Sequence, residues 1–271
     1  MKTLLITAIL LLLPLHANAE RILALSPHAC EILAAIGAAD DMVGAVEYCD
    51  YPESVTRLPK VGSYNRIQVE SAMLLKPTLA VVMNDGTKAV KKLRKLGVRV
   101  IASNPTTISD MLLEIKRLGS LSGRVWEAEM LVKRLTQRLS DLDVMKAKRK
   151  IPVFYEIWSD PLITAGGSSR IHDVLSRAGL QNVFAELPME GPKVNVEAVL
   201  RAAPEVIIVP AENRNVAERE KFWKQWLGED ITVISVHADL LHRPTPRLLD
   251  GLEELMKKIA QLPMQQASQH E

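Results

Sequence analysis

The chain has 271 residues, 48% of them hydrophobic and 24% charged, with a formal net charge of +2. This length and composition are typical of a globular protein with one or two domains. With so small a net charge, nothing in the composition points to a nucleic-acid partner.

The first residues predict export. Lys2 precedes an apolar stretch over residues 4–13, and Ala17-Asn18-Ala19 has the pattern of a signal-peptidase site. We therefore expect residues 1–19 to be a cleaved signal peptide, with a mature chain in the periplasm; the alternative is an uncleaved anchor. No Cys follows the apolar stretch, so no lipid anchor is indicated, and no later stretch is apolar enough to span a membrane.

Strand and helix patterns then alternate over residues 20–122. Strands are predicted at 21–25, 42–46, 79–82 and 98–101, and helices at 27–35, 69–76 and 88–96. Ser26-Pro27 has the residue types of a helix start, and Gly37 those of a helix end. This alternation implies an α/β fold with a parallel sheet and helices on both of its faces.

A long helical pattern separates this region from a second one. Thr106 or Thr107 is a candidate N-cap for a helix to about residue 118, and a second pattern runs over 124–148. At about 25 residues that helix would reach roughly 37 Å. We interpret residues 123–149 as a helix linking an N-terminal lobe (20–122) to a C-terminal lobe (150–271).

The second lobe repeats the first. Strands are predicted at 153–157, 206–209 and 233–235, with an extended segment at 161–164, and helices at 171–177, 218–227 and 246–262. Residues 69–82 and 196–209 share Val-Glu at the start, a central Pro and a final Val. A repeat at this separation predicts two similar lobes, each with one acid, Glu70 or Glu197, at the same position.

The sequence contains two cysteines, Cys30 and Cys49. In an oxidising compartment they can form a disulfide, because the segments that carry them are expected to lie side by side. The alternative is a pair of buried free thiols.

Ligands of open parallel sheets bind beyond the carboxyl ends of the strands. The loops expected there carry Tyr48, Tyr51, Tyr64 and Trp158, which would suit a large, flat or apolar ligand. The alternative is that Tyr64 and Trp158 only cover loop ends. The pair Asp239 and Arg243 could be a structural ion pair or a polar anchor for ligand groups.

No catalytic or metal site is predicted. The chain has no nucleophile elbow, phosphate-binding glycine loop or HExxH helix. His28 and Cys30 are close in sequence, but that proximity does not give the convergent geometry of a catalytic dyad, so His28 is interpreted as a cleft-lining or capping residue. The histidines do not have metal-ligand spacing.

Several stretches together resemble the family of periplasmic binding proteins whose two lobes are joined by one long helix, and within it the cobalamin binders of ABC importers. They are residues 21–27, 50–52, 61–64, 69–70, 76–79, 96–98, 239, 243 and 246–247. The family also contains haem and ferric-siderophore binders. The resemblance covers essentially the whole mature chain, and its motifs are more specific for the family than for the ligand.

The resemblance implies roles for individual residues. Glu70 and Glu197 match the acids that dock onto arginines of the two permease subunits in the inner membrane. Tyr51, Tyr64, Asp239 and Arg243 match cleft positions that contact cobalamin. The loops at the strand ends add Pro27, His28 and Trp158 to the residues expected to bind the ligand. Where the family's cobalamin binders have further aromatics, this chain has Met83 or Asn84, Leu162, and Gly191 or Pro192, which makes the expected cleft less aromatic.

The resulting expectation is a monomeric binding protein with no cofactor of its own. It would capture a corrinoid such as cobalamin between the lobes, with only a small lobe closure, and deliver it to an ABC importer. The alternatives are a haem or ferric-siderophore binder on the same scaffold, or an exported enzyme that uses Cys30 or His28.

Overall fold

The computed structural model describes residues 20–211 and 216–262, so the predicted signal peptide lies outside the described residues. The first sheet and its helices form lobe one, which contains six strands and four α-helices. They are β1 Ile22–Leu25, α1 Pro27–Ala35, β2 Met42–Ala45, α2 Glu53–Thr56, β3 Gly62–Ser63, β4 Arg66–Ile67, α3 Val69–Leu74, β5 Leu79–Val82, α4 Lys88–Lys95 and β6 Arg99–Ala102. The four main strands are parallel, in the order β2-β1-β5-β6.

Two consecutive helices, α5 Ile108–Ser122 and α6 Val125–Leu142, follow lobe one. Helix α5 begins with a capping box, in which the Thr107 side chain accepts from the Asp110 amide and the Asp110 side chain accepts from the Thr107 amide. The helices cross closely at Gly119, where an added Cβ would lie 2.3 Å from that of Ala128. Gly119 therefore allows the two helices to pack against each other.

The helix predicted over 123–149 is shorter in the structure, because α6 ends at Leu142 and a 3-10 turn follows at Asp143–Met145. Tertiary contacts explain the early end. The Ala147 amide donates to the carbonyl of Ala178, and Arg177 pairs with Asp143 at 3.1 Å. These contacts hold residues 143–147 against lobe two, so the helix ends before another turn.

Lobe two contains the second sheet and its helices. Its elements are β7 Ile151–Ser159, β8 Leu162–Thr164, α7 Arg170–Arg177, β9 Leu180–Asn182, α8 Val196–Ala202, β10 Val206–Pro210, α9 Val216–Leu227, β11 Thr232–Val236, α10 Ala238–His242 and α11 Leu248–Ala260. Strands β7, β9, β10 and β11 are parallel, whereas β8 runs antiparallel to β7. The predicted α/β architecture is confirmed, with β8 as an antiparallel addition.

The sequence repeat is also a structural repeat. Its copies form α3 with β5 and α8 with β10, and both strands lie inside their sheets. The residue before the shared Pro has a left-handed backbone in each copy, with φ of 49° at Lys76 and 45° at Ala203. This conformation is uncommon for residues other than Gly, so its recurrence marks the same sharp turn between helix and strand in both lobes.

The lobes share one apolar core. A continuous cluster of buried side chains extends from Ile22 and Val81 of lobe one through Ile115 and Leu131 of the two helices, and it reaches Val153 and Ile208 of lobe two. The opposite face of each sheet has its own smaller cluster. A shared core of this size favours small changes in the angle between the lobes over large ones.

Candidate functional site

A pocket of about 200 Å³ lies between the lobes. On the lobe-one side it is bounded by residues that follow the carboxyl ends of β1, β5 and β6, as expected for a parallel sheet. Its lining consists of Pro27, His28, Met83, Asn104, Arg170, Glu190, His242, Arg243 and Pro244.

His28 lies in the first turn of α1 and is only 2% exposed. Its Nε2 lies 2.9 Å from the hydroxyl oxygen of Ser103, which follows β6. Burial, reinforced by the positive charge of Arg170, lowers the pKa of His28 from 6.5 to about 4. The imidazole is therefore neutral at physiological pH, and it forms part of the pocket wall.

Arg243 forms ion pairs across the cleft. Its guanidinium lies 2.5 Å from Asp50 and 3.3 Å from Glu31, both in lobe one. It also lies 3.0 Å from Asp239 in its own lobe. Asp239 and Arg243, predicted from the sequence as a pair, are thus together, but Arg243 is shared with two further acids.

Arg247 binds the same buried acid. Its Nε and Nη2 donate to the two oxygens of Glu31 at 2.8 and 2.7 Å, and Glu31 is only 3% exposed. The guanidinium also stacks on the Tyr51 ring, 3.9 Å from its centroid. We call Glu31, Asp50, Arg243 and Arg247 the cross-lobe cluster.

Hydrogen bonding and charge alter the pKa values in this cluster. The hydrogen bond from Arg243 lowers the pKa of the Asp50 carboxyl. Burial alone would lower the pKa of Arg243, but the hydrogen bond to Asp50 and the charge of Asp239 outweigh it and raise the pKa. At neutral pH the Asp50 carboxylate and the Arg243 guanidinium are therefore both charged and stabilise each other.

Arg170, at the start of α7, forms hydrogen bonds that connect lobe two to the segment before α5. Its guanidinium donates to the carbonyl of Pro105 at 3.0 Å and to that of His242 at 3.1 Å. Burial lowers the pKa of Arg170, and the charge of Glu190 opposes this effect. These hydrogen-bond partners are neutral oxygens, whereas Glu190, which also lines the pocket, interacts with the charge of Arg170.

The structure brings together only part of the predicted ligand set. Pro27, His28 and Arg243 line the pocket. Tyr51 and Asp239 do not line it, but Tyr51 stacks on Arg247 and Asp239 pairs with Arg243. Tyr64 and Trp158 are 43% and 56% exposed and do not line this pocket. Trp158 lies near the end of β7, where its indole N–H donates to the carbonyl of Asp160.

Sequence reasoning missed Glu31 and Arg247 as members of the site. Glu31 looks like one more polar residue of α1, and Arg247 is distant in sequence, so only the fold reveals their contact. One signal was present, because Glu31 and Asp50 directly follow the two cysteines. Those cysteines form the disulfide, with Cα atoms 5.9 Å apart, so the predicted pairing of Cys30 with Cys49 is confirmed.

The two repeated acids lie at equivalent positions. Glu70 and Glu197 are each the second residue of a helix, α3 or α8, and both are exposed. Glu70 forms an ion pair with Lys92 of α4. Among the ion pairs of the described residues, none involves Glu197. The two lobes thus present similar acids in different electrostatic surroundings.

A larger cavity, of about 920 Å³, lies elsewhere in lobe two. It adjoins the first residues of β7, β10 and β11, at the end of the sheet opposite to the strand carboxyl ends.

Within residues 20–211 and 216–262, no three potential metal ligands of the His, Cys, Asp or Glu type are grouped together. Nor does any helix in this part of the chain combine the length and apolarity of a membrane span.

The model of the periplasmic binding protein family matches residues 22–232. The chain belongs to this family. It is 33% identical, over 90% of its length, to the vitamin B12-binding protein of Vibrio cholerae, of which it covers 91%. It is 31% identical to the vitamin B12-binding protein of Photorhabdus laumondii, and the match covers 90% of each chain.

Solved structures agree with this membership. The crystal structure of the periplasmic vitamin B12-binding protein of Vibrio cholerae matches with a TM-score of 0.81 at 32% identity, over 90% of this chain and 99% of that one. A periplasmic heme-binding protein of the same organism matches with a TM-score of 0.80, but at 17% identity, over 89% and 99%. At that identity the second match concerns the fold alone. The pocket between the lobes is the candidate ligand site.

Proposed function

We propose that this periplasmic binding protein captures cobalamin between its lobes and delivers it to an ABC importer of the inner membrane. The observation that carries the proposal is the similarity, over nine-tenths of the chain, to two vitamin B12-binding proteins. Lobe architecture alone would not distinguish the ligand, because a heme-binding protein has the same fold.

The chemistry of the cleft suits a corrinoid. Cobalamin is a flat macrocycle edged with amide side chains, which both donate and accept hydrogen bonds. Arg170 and Arg243 supply donors and Asp239 an acceptor, while Tyr51, Tyr64 and Trp158 are exposed aromatics that can cover the apolar parts of the ring.

The ligand needs more room than the pocket provides. Ligand pockets usually enclose roughly 300–1,000 Å³, whereas the space between the lobes here is about 200 Å³. Arg243 is one of the lining residues, and its ion pairs with Glu31 and Asp50 join the two lobes. Cobalamin would therefore enter with a small movement of the lobes about their shared core.

The remaining parts of the proposal follow from the same role. The protein acts in the periplasm after removal of residues 1–19, as a monomer without a cofactor, and it performs no catalysis.

Haem and ferric siderophores are the competing ligands. His28 does not favour haem, since its Nε2 is already bonded to Ser103 and its ring is almost fully buried.

Titration of the purified mature protein with cyanocobalamin, hemin and a ferric siderophore, followed by tryptophan quenching, tests the choice of ligand. We expect saturable binding of cyanocobalamin at micromolar concentration or below. Saturable binding of hemin or the siderophore without binding of cyanocobalamin would contradict the proposal.

The docking role of the two acids needs a separate test. We expect the double variant Glu70→Ala with Glu197→Ala to bind cyanocobalamin as wild type does, because neither residue lines the pocket. Uptake through the importer in reconstituted vesicles should fall at least about 10-fold, since rim charges of an interface govern association. Glu53→Gln, which removes an exposed acid of α2, is the matched control. Weaker ligand binding in the double variant would contradict this placement.

A further inference from the structure

The disulfide of lobe one joins two residues that are each followed by an acid. Glu31 follows Cys30 on α1, and Asp50 follows Cys49. Both acids point to the same guanidinium of lobe two, with Arg243 at 3.3 Å from Glu31 and 2.5 Å from Asp50. One covalent bond therefore fixes the spacing of two carboxylates that meet across the cleft.

The two acids differ in how they are held. Glu31 is fixed by helix α1, and it is buried and bound by Arg247 through two hydrogen bonds. Asp50 lies in residues 46–52, which form neither helix nor strand, and its side chain is 49% exposed. The disulfide at the neighbouring Cys49 is the covalent connection between this loop and α1.

Arg243 contacts acids of both lobes at the same time, and the balance between them sets the direction of its side chain. Asp239, one helical turn earlier in lobe two, lies 3.0 Å from its Nη2. Asp50 draws the same guanidinium toward lobe one, with contacts at 2.5 and 3.1 Å. If the Asp50 loop moved away, Asp239 would remain close enough to hold Arg243 within its own lobe.

We propose that the Cys30–Cys49 disulfide is a positioning device for Arg243. By holding Asp50 beside Glu31, it keeps the arginine extended across the cleft, where a ligand meets it. The effect on the ligand rests on the proposed function, whereas the effect on Arg243 concerns the protein alone. The disulfide and Asp50 are positioning groups, and only Arg243 is assigned to ligand contact.

Hydrogen–deuterium exchange of the protein without added ligand tests the positioning directly. The variants are Cys30→Ala with Cys49→Ala, Asp50→Asn, and their combination, with Glu53→Gln as the charge-matched control. We expect exchange over residues 238–247 of lobe two to rise about 10-fold in the disulfide variant and in Asp50→Asn. The combination should show no further increase, because both changes remove the same contact.

Two results would overturn the positioning role. One is faster exchange confined to residues 46–52 in the disulfide variant, which would limit the bond to a local role. The other is unchanged exchange over 238–247 in Asp50→Asn. Because Asp50→Asn keeps the disulfide, this result tests the positioning of Arg243 even if the cysteine variant does not fold. Asp50→Glu should restore most of the protection, since it restores the carboxylate.

Cyanocobalamin titration of the same variants tests the consequence for the ligand. We expect the affinity to fall about 10-fold in the disulfide variant and no further in the combination with Asp50→Asn. An unchanged affinity beside faster exchange would overturn the link to the ligand. If wild type binds no cyanocobalamin while the exchange pattern holds, the proposed function fails and the positioning of Arg243 stands.

Discussion

Individual residues at the cleft show how buried charge is tolerated across the two lobes. Glu31 is 3% exposed, and a carboxylate buried this deeply requires charged partners. Arg247 and Arg243 supply them from residues more than 200 positions later in the chain. Such long-range pairing explains why the sequence predicted Arg243 with its near neighbour Asp239 but not with Glu31.

His28 makes a prediction about pH. Its pKa is lowered by burial from 6.5 to about 4, so the unfolded chain binds more protons than the folded protein between these values. The stability contributed by neutral His28 is complete above about pH 6.5 and decreases as the pH falls toward 4. Complete protonation of His28 would lower the free energy of unfolding by an amount on the order of 3 kcal/mol.

Urea unfolding at pH 5 and pH 7 measures this contribution. His28→Gln should be less stable than wild type at pH 7, because the bond to Ser103 and the local packing change. Its free energy of unfolding should nevertheless fall less than that of wild type between pH 7 and pH 5. An equal decrease in the two proteins would show that His28 does not titrate as its burial requires.

At the scale of elements, the crossing of α5 and α6 depends on one glycine. A Cβ at Gly119 would lie 2.3 Å from the Ala128 Cβ and 2.9 Å from the Arg124 carbonyl oxygen. We expect Gly119→Ala to push the helices apart and to lower the free energy of unfolding by about 1–3 kcal/mol, as overpacking does. Urea denaturation of the variant measures this loss.

Two further variants separate the clash from other effects of a new methyl group. Adding Ala128→Gly to Gly119→Ala removes the closer contact and should restore part of the stability. Gly86→Ala is the matched control, since a Cβ there would meet only the Asn84 side chain, at 3.5 Å. A control as unstable as Gly119→Ala, or a double variant with no recovery, would contradict the proposed clash.

Most long elements could be predicted from local pattern, and the misses have physical reasons. Strands β1, β2 and β5 and helix α1 were expected within a residue or two, because apolar periodicity and the Ser26-Pro27 start act locally. Helix α6 was predicted too long, because contacts of lobe two end it. Strands β3, β4 and β9 and helices α2 and α10 are short, and tertiary pairing rather than propensity stabilises them.

At the scale of the whole molecule, the internal repeat was the most informative pattern in the sequence. It predicted two lobes and equivalent positions for Glu70 and Glu197, and the structure has the same helix–turn–strand unit at both places. The candidate site was predicted less completely. Local pattern located the loops at the strand ends, but it could not show which loops of one lobe face which loops of the other.

Isothermal titration of cyanocobalamin into wild type, Arg243→Ala and Arg149→Ala tests the central claim most directly. Arg149 is the matched control, because it pairs with Glu205 beside the large cavity of lobe two, away from the cleft. We predict that wild type and Arg149→Ala bind at micromolar concentration or below, and that Arg243→Ala binds at least about 10-fold more weakly. No binding by wild type, or equal weakening in both variants, would contradict a corrinoid site between the lobes.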